Sequence, residues 1–251
     1  MQPTARFSNR VRDYVRYRPS YPAEVIDLLR RECGLDHGVP VADVGAGTGI
    51  FARLLLEAGA VVYAVEPNEP MRAAAEAASA DHPRFHSVDA PAEATGLPDG
   101  AVQIVSCAQA WHWFDHARAR EEFVRILRPG GWLFLVWNER STEDTPFLRD
   151  YEAILNEFAP EYHRVLHQEF DANRLDEVFA PEPMLRANYP NAQVFDRDGF
   201  IGRVMSSSYA PKGDERLMSE LGRAFDRHQV DGRIEFRYTT ECYYGRLIPR
   251  A

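Results

Sequence analysis

Short apolar runs recur along the first 140 residues: Val39–Val44, Val61–Val65, Phe85–Val88, Val102–Ser106 and Trp132–Trp137. They are too short for helices and too uniformly apolar for half-buried alternation, which predicts strands covered on both faces. Between them, apolar residues fall at helical spacing over 22–33, 50–58, 70–80 and 118–127. Each of these stretches has a physical start or stop. Pro22 suits a first helical position, Gly34 and Gly59 end helices, and Pro129-Gly130-Gly131 closes the last.

Strands alternating with helices predict parallel strands joined by crossover helices, hence an α/β sheet wound on both faces. Beyond Asn138 the pattern changes. Residues 144 to about 186 predict irregular helix, interspersed with Phe147, Tyr151, Phe158, Tyr162, His163, His167 and Phe170. Ala192–Phe195 predicts a short strand, Asp214–His228 a helix and Ile234–Leu247 a long final strand whose weak alternation leaves its register open. With no Gly/Ser-rich linker and no repeat, the expectation is one domain over residues 1–251. Within it stand a helical N-terminal flap (1–37), a ligand-binding core (38–140), an inserted helical cap (141–190) and C-terminal strands and helix completing the sheet (191–251).

Composition narrows the function classes. The chain is 45% hydrophobic and 12% aromatic, enough for one ordinary core with a cap. A formal charge of −9 argues against a nucleic-acid binder. The exception is local: Arg6, Arg10, Arg12, Arg16 and Arg18 form either a solvated amphipathic face or a guard near an anionic ligand. Cys33, Cys107 and Cys242 show neither metal-ligand spacing nor a disulfide framework, which suits a reducing compartment. No apolar leader and no run of membrane-spanning length is visible. A soluble cytoplasmic protein is expected, a monomer or homodimer, with no metal, nucleic acid or membrane partner.

The chemistry begins at Asp43-Val44-Gly45-Ala46-Gly47-Thr48-Gly49, between the first strand and its helix. Glycines are needed where a strand turns sharply into a helix and the backbone lies against a ligand. Glu66 ends the second strand about twenty residues on, where an acid takes both hydroxyls of a ribose. A nucleoside-bearing ligand is expected across these strand ends. The loop is G-x-G-x-G preceded by an acid, not the dinucleotide pattern G-x-G-x-x-G. An NAD-dependent oxidoreductase is thereby the weaker reading.

The loop resembles motif I of the class I S-adenosylmethionine-dependent methyltransferases. Glu66-Pro67-Asn68-Glu69-Pro70-Met71, Asp89-Ala90 with Ala92-Glu93 and Leu97-Pro98, and Leu127-Arg128-Pro129-Gly130-Gly131 are similar to further segments of that superfamily. Tyr14–Pro22, Gln109–Phe114, Phe195–Gly199 and Ser206–Tyr209 resemble its small-molecule subgroup related to trans-aconitate methyltransferases. The resemblance implies a Rossmann-like, doubly wound, seven-stranded sheet, mostly parallel with an antiparallel last strand. It implies S-adenosylmethionine as cofactor and S-adenosylhomocysteine as product. Asp43, Gly45, Ala46, Gly47 and Gly49 would surround the methionyl and ribose portions. Glu66 and Pro67 would meet the ribose, Met71 the adenine face, Asp89 and Ala90 the adenine edge, and Cys107 and Gln109 the methionyl end.

Methyl transfer from a sulfonium asks mainly for alignment and water exclusion, which supply roughly 7–11 kcal/mol in well-oriented systems. A general base is required only for a protonated acceptor, and His112 is the candidate. Its neighbours Trp111 and Trp113 cannot both face one way, so at least one is expected in the core and the other either walls the acceptor pocket or faces the positive sulfonium through cation–π attraction. Tyr14, Tyr17 and Tyr21 recur at helical intervals, either as packing or as a flap, with Arg18 available to pair with a carboxylate. Trp137, Asn138, His163, His167 and Tyr209 are further pocket candidates. Ser106-Cys107-Ala108-Gln109 replaces the Asn/Asp-Pro-Pro-Tyr signature of amide and adenine methylation, and no acidic cluster suggests a metal-bound catechol site. The expected acceptor is a small organic molecule methylated on oxygen or nitrogen: a carboxylate, a phenol or a heteroaromatic. A non-catalytic binder of the same cofactor is the alternative.

Overall fold

The computed structural model of the chain describes residues 15–160, 162, 175–207, 209–211 and 213–249. Each early apolar run is a strand: β1 (Pro40–Val44), β2 (Val61–Val65), β3 (Phe85–Val88), β4 (Val102–Ala108) and β5 (Leu127–Arg140). The intervening helices are α1 (Ala23–Cys33), α2 (Ile50–Glu57), α3 (Glu69–Ala78) and α4 (His116–Ile126). Pro22 caps α1 rather than opening it, and Gly34 ends it in the left-handed conformation at φ 72°. The caps of α3 and α4 are side chains: Asn68 accepts from the Met71 N–H and Asp115 from the Arg118 N–H.

With β6 (Leu185–Phe195) and β7 (Ile234–Arg246), these form one seven-stranded sheet in the order β3-β2-β1-β4-β5-β7-β6. All pairs from β3 to β5 are parallel, and β7 runs antiparallel to both its neighbours. The expected architecture is therefore the observed one. Strand order reverses beside β1, so the crevice at its carboxyl end is where ligands of open α/β sheets bind. Alternate residues of each strand feed opposite cores. Val41, Ile104, Phe134 and Val136 pack with α1 and α2, whereas Ala42, Val105, Cys107 and Leu135 pack with α4.

Differences from the predicted elements lie in the second half. β6 has eleven residues rather than four, and takes 185–190 out of the segment expected to be helical. It is an edge strand whose residues are all half-buried or exposed, so Asn188, Pro190 and Asn191 hide it from a hydrophobic pattern. The helices of the expected cap are α5 (Pro146–Phe158) and the short α6 (Asp176–Phe179); His163, His167 and Phe170 lie outside the described residues. Helix α7 (Arg197–Met205) was not foreseen, because Gly199 and Gly202 interrupt its pattern. Gly202 is there for space: a Cβ would fall 2.2 Å from the Tyr17 ring. Helix α8 (Glu215–His228) is the predicted one, capped by Asp214. β7 alternates over its first seven residues and is then buried almost continuously. The first part runs past β5 and presents Ile234, Phe236 and Tyr238 to α5, α7 and α8. The second lies between β5 and β6, covered on both faces, and that change of environment blurred its pattern.

The N-terminal segment is strapped across the carboxyl ends of β5 and β6. The Nδ2 groups of Asn138 and Asn191 both donate to the Ser20 carbonyl, at 3.2 and 2.8 Å, and Gln193 Nε2 donates to the Tyr17 carbonyl at 3.2 Å. Asn138 Oδ1 in turn accepts from Asn191 Nδ2 and Thr240 Oγ1. Tyr14 lies outside the described residues. Since Asn138 is 9% exposed and fully engaged, Asn138→Ala should cost about 2–3 kcal/mol. Urea denaturation should show that loss, and limited proteolysis should cut near residues 15–21 faster than in the wild type.

Candidate functional site

The loop from β1 to α2 crosses the sheet's switch point with Gly45, Gly47 and Gly49 at φ 72°, 57° and 81°. At Gly45 a side chain is excluded by packing as well as by backbone, since a Cβ would sit 2.5 Å from Ala110 Cβ. Gly47 is open instead: its nearest neighbours would be the Gly45 carbonyl and Met71 Sδ, both 4.0 Å away. The N–H groups of Gly45 and Ala46 both reach the Val65 carbonyl at the end of β2, at 2.9 and 3.1 Å. The Gly47 N–H goes to Glu66 Oε2 at 2.9 Å.

Glu66 is thereby built in from two sides, because its Oε1 accepts from the Asn68 N–H at 2.8 Å. Burial pushes its carboxyl up, and the two N–H donors and Arg72 pull against that. Each oxygen keeps a lone pair beyond the one these N–H groups occupy. Pro67 beside it is exposed. Arg72, not foreseen from the sequence, donates to the Glu66 carbonyl and to Asp89 Oδ1, both at 2.9 Å. It joins β2, α3 and the loop after β3 into one rim. Its only sequence signal is its place in the first turns of the helix after Glu66. Asp89 is exposed on this rim, and Ala90 turns into the core with Ala92 and Leu97. Glu66, Met71, Asp89 and the open side of Gly47 form a cradle with an apolar floor and an acidic edge, which fits a nucleoside.

Other expected residues lie deeper. Asp43 is fully buried beneath the loop, its Oδ1 accepting from Ser106 Oγ at 2.8 Å. Burial pushes its carboxyl up to about 7, the Ser106 bond opposes this, and the charge on Glu66 adds to it. The Cys107 side chain is in the core, where burial pushes the thiol far above its usual range. Gln109 occupies the left-handed region at φ 56°, a sparsely allowed conformation. It is held by its N–H to the Val136 carbonyl at 2.9 Å and by Nε2 to the Asn138 carbonyl at 3.3 Å.

The aromatic turn after β4 divides as its composition required. Trp111, 1% exposed, is the core residue, stacked on His116 with centroids 4.7 Å apart and tilted against Phe123. Trp113 and His112 are half-buried, their rings 4.7 Å apart. Burial, then the neighbouring His116, pushes the His112 imidazole down to about 4, so it is neutral near pH 7. Trp137 is buried and set edge-on to Tyr243. Tyr17 packs on Gly202, Arg18 is half-buried beside it, and Tyr209 stands in the cap edge-on to Tyr162.

The buried Asp43 yields a signed pH dependence. With the folded carboxyl raised to about 7 from 3.8, the folded state holds more protons between those values, so stability falls as pH rises through that window. Asp43→Asn removes this titration. Its melting temperature relative to wild type should climb between pH 4 and 7 and level off above, in matched thermal scans; a constant difference would contradict the assignment.

Residues 42–135 match the family model of a methyltransferase domain. An uncharacterized methyltransferase of Mycobacterium tuberculosis is 45% identical over 134 residues, covering 53% of this chain and 52% of the relative. One of Schizosaccharomyces pombe is 33% identical over 156 residues, 61% of this chain and 58% of the relative. The matches thus span about half the length of these curated relatives. Among solved structures, a protein of Anaeromyxobacter dehalogenans provisionally described as a type II methyltransferase superposes with a TM-score of 0.67 at 26% identity, covering 93% of this chain and all of that one. A Haemonchus contortus phosphoethanolamine N-methyltransferase, bound to S-adenosylhomocysteine and phosphomonomethylethanolamine, shares the fold at a TM-score of 0.56 and 13% identity, over 97% of this chain and 58% of that one. Sequence match, relatives and fold agree with one another: residues 42–135 are similar to a methyltransferase domain, and the chain shares the fold of solved methyltransferases.

Proposed function

We propose that the chain transfers a methyl group from S-adenosylmethionine to an oxygen or nitrogen of a small organic acceptor, releasing S-adenosylhomocysteine. The observation that carries this is the Glu66 carboxylate, pinned by the Gly47 and Asn68 N–H groups beside the open face of Gly47. Glu66 holds the ribose hydroxyls, Met71 packs on the base, and Asp89 lies at its edge. The bound cofactor supplies an activated methyl on a sulfonium sulfur. The chain's own work is to align the acceptor and exclude water, with the N-terminal strap over the carboxyl ends of β5 and β6 as part of the cover. No helix among the described residues is long and apolar enough to cross a membrane.

His112 is neutral and half-buried, so it can take a proton from an alcohol or phenol acceptor. An imidazole near pKa 4 is a weak base, so its share of the rate is modest and alignment dominates.

Isothermal titration with S-adenosylhomocysteine tests the cofactor site. Glu66→Ala should weaken binding by about tenfold or more, ~1.4 kcal/mol; unchanged affinity removes Glu66 from the ribose. A labelled-methyl assay over acids, phenols and heteroaromatic amines tests turnover, and tight cofactor binding without transfer to any of them would favour a binding protein. With a phenol acceptor, His112→Asn should lower kcat and leave cofactor affinity unchanged. The wild-type pH–rate profile should lack an inflection near 6.5, since the ring titrates at about 4. Equal losses in rate and cofactor affinity would make His112 structural.

A further inference from the structure

Beneath the cap, two guanidiniums share a bed of hydroxyl groups. Arg203 of α7, 6% exposed, donates through Nε to the Tyr238 hydroxyl at 3.3 Å and through Nη1 to Ser207 Oγ at 3.0 Å. Arg140, at the end of β5, donates through Nη2 to the Tyr162 hydroxyl at 2.7 Å and to Glu152 Oε2 at 2.6 Å. Its guanidinium also lies 4.9 Å from the centroid of the Tyr151 ring. Tyr209 stands within the field of both. Burial pushes its phenol up, but the charges of Arg203 and Arg140, with a bond to Ser207, outweigh this and leave it below the ordinary tyrosine value.

The charges do not balance. Among the described residues Glu152 is the acid bonded to this pair, and it is committed to Arg140 and Tyr162. Arg203 meets hydroxyls only, with no carboxylate of the described residues within ion-pair distance. A buried guanidinium stays charged, and holding it without a counter-ion carries a desolvation penalty. Neutral hydroxyls offset part of that cost. A planar fork with surplus positive charge is the arrangement that receives a carboxylate.

The cluster adjoins the site. Arg140 projects from the same face of β5 as Asn138, roughly 7 Å farther along the strand, and Tyr238 is its cross-strand partner. The Tyr238 hydroxyl donates to Gln193 Oε1 at 3.0 Å, and Gln193 also holds the Tyr17 carbonyl of the strap. The hydroxyl-lined face thus continues the wall that begins at Gln109 and Asn138.

We propose that Arg203 and Arg140, beside the Tyr209 hydroxyl, seat a carboxylate of the methyl acceptor, and that this carboxylate is an anchor and not the methylated group. The inference rests on the acceptor site proposed above. A carboxylate clasped by guanidinium N–H donors has its lone pairs engaged and its charge neutralised, which makes it a poor nucleophile. The methyl goes to another oxygen or nitrogen of the acceptor. The new bond forms as the carbon–sulfur bond breaks with its electron pair left on sulfur, any proton on the accepting atom leaves to water or His112, and the carboxylate stays ionised.

The test uses benzoate, benzamide and phenyl phosphate as probes of the full chain, with and without S-adenosylhomocysteine, read by thermal shift and titration calorimetry. Benzoate should stabilise and bind the wild-type protein, and benzamide should bind about tenfold more weakly or worse. Arg203→Met should abolish the benzoate response while keeping wild-type affinity for S-adenosylhomocysteine. Arg203→Lys keeps the charge without the fork and should lose most of the response too, which covers a methionine variant that fails to fold. Equal binding of acid and amide, a benzoate response that survives both substitutions, no acid response at all, or binding of phenyl phosphate alone would each overturn the seat. Loss of S-adenosylhomocysteine binding in the wild type would instead overturn the cofactor reading, and the benzoate arm without it would still report on Arg203.

Discussion

One carboxylate, that of Glu66, holds the ligand-binding edge of this sheet in shape. It accepts the Gly47 N–H from the loop after β1 and the Asn68 N–H from the start of α3. The turn from β1 into α2 and the entry to the next helix are therefore fixed by one side chain at the end of β2. The glycines allow the loop to turn; Glu66 determines where it stops. A carboxylate buried with only two N–H donors retains acceptor capacity and pays for its burial, as its raised titration indicates. In the function proposed for the chain, a ligand with two adjacent hydroxyls would relieve that condition, and the side chain that organises the loop would also read the ligand.

The opposite wall is assembled from parts far apart in the chain. Asn138, Asn191 and Thr240 lie on three different strands, yet their side chains form one hydrogen-bonded group that grips Ser20. The antiparallel pair β6–β7 makes this possible by running past the end of β5, where it carries α5, α7 and α8 on a core of their own. The cap is thus an outgrowth of the sheet, and the strap, the strand pair and the cap depend on one another.

Charge is distributed against the composition. A chain of formal charge −9 keeps Arg140 and Arg203 beneath its cap, with Glu152 paired to Arg140 and hydroxyls around Arg203. Overall acidity argued against a nucleic-acid surface, but it concealed a local positive field inside the fold. The low titration of His112 has a similar origin in burial, next to a second histidine.

The early strands, their crossover helices and the glycine loop with Glu66 were legible in the sequence, because each rests on local physics: apolar runs for buried strands, glycine for positive φ, an acid at a strand end. Trp111 and Trp113 were legible as a pair in which one must be core, but only the packing of Trp111 on His116 and Phe123 decided which. Burial of Cys107 and Asp43, the role of Arg72 as a brace and the length of β6 depend on neighbours distant in the chain. The same holds for the meeting of Arg140 with Arg203, 63 positions apart in the numbering. Local pattern alone thus determined the parallel half of the sheet and the switch point at its carboxyl edge. Which polar and charged groups face that place was decided by tertiary structure, because long-range pairing of β5, β6 and β7 sets their positions.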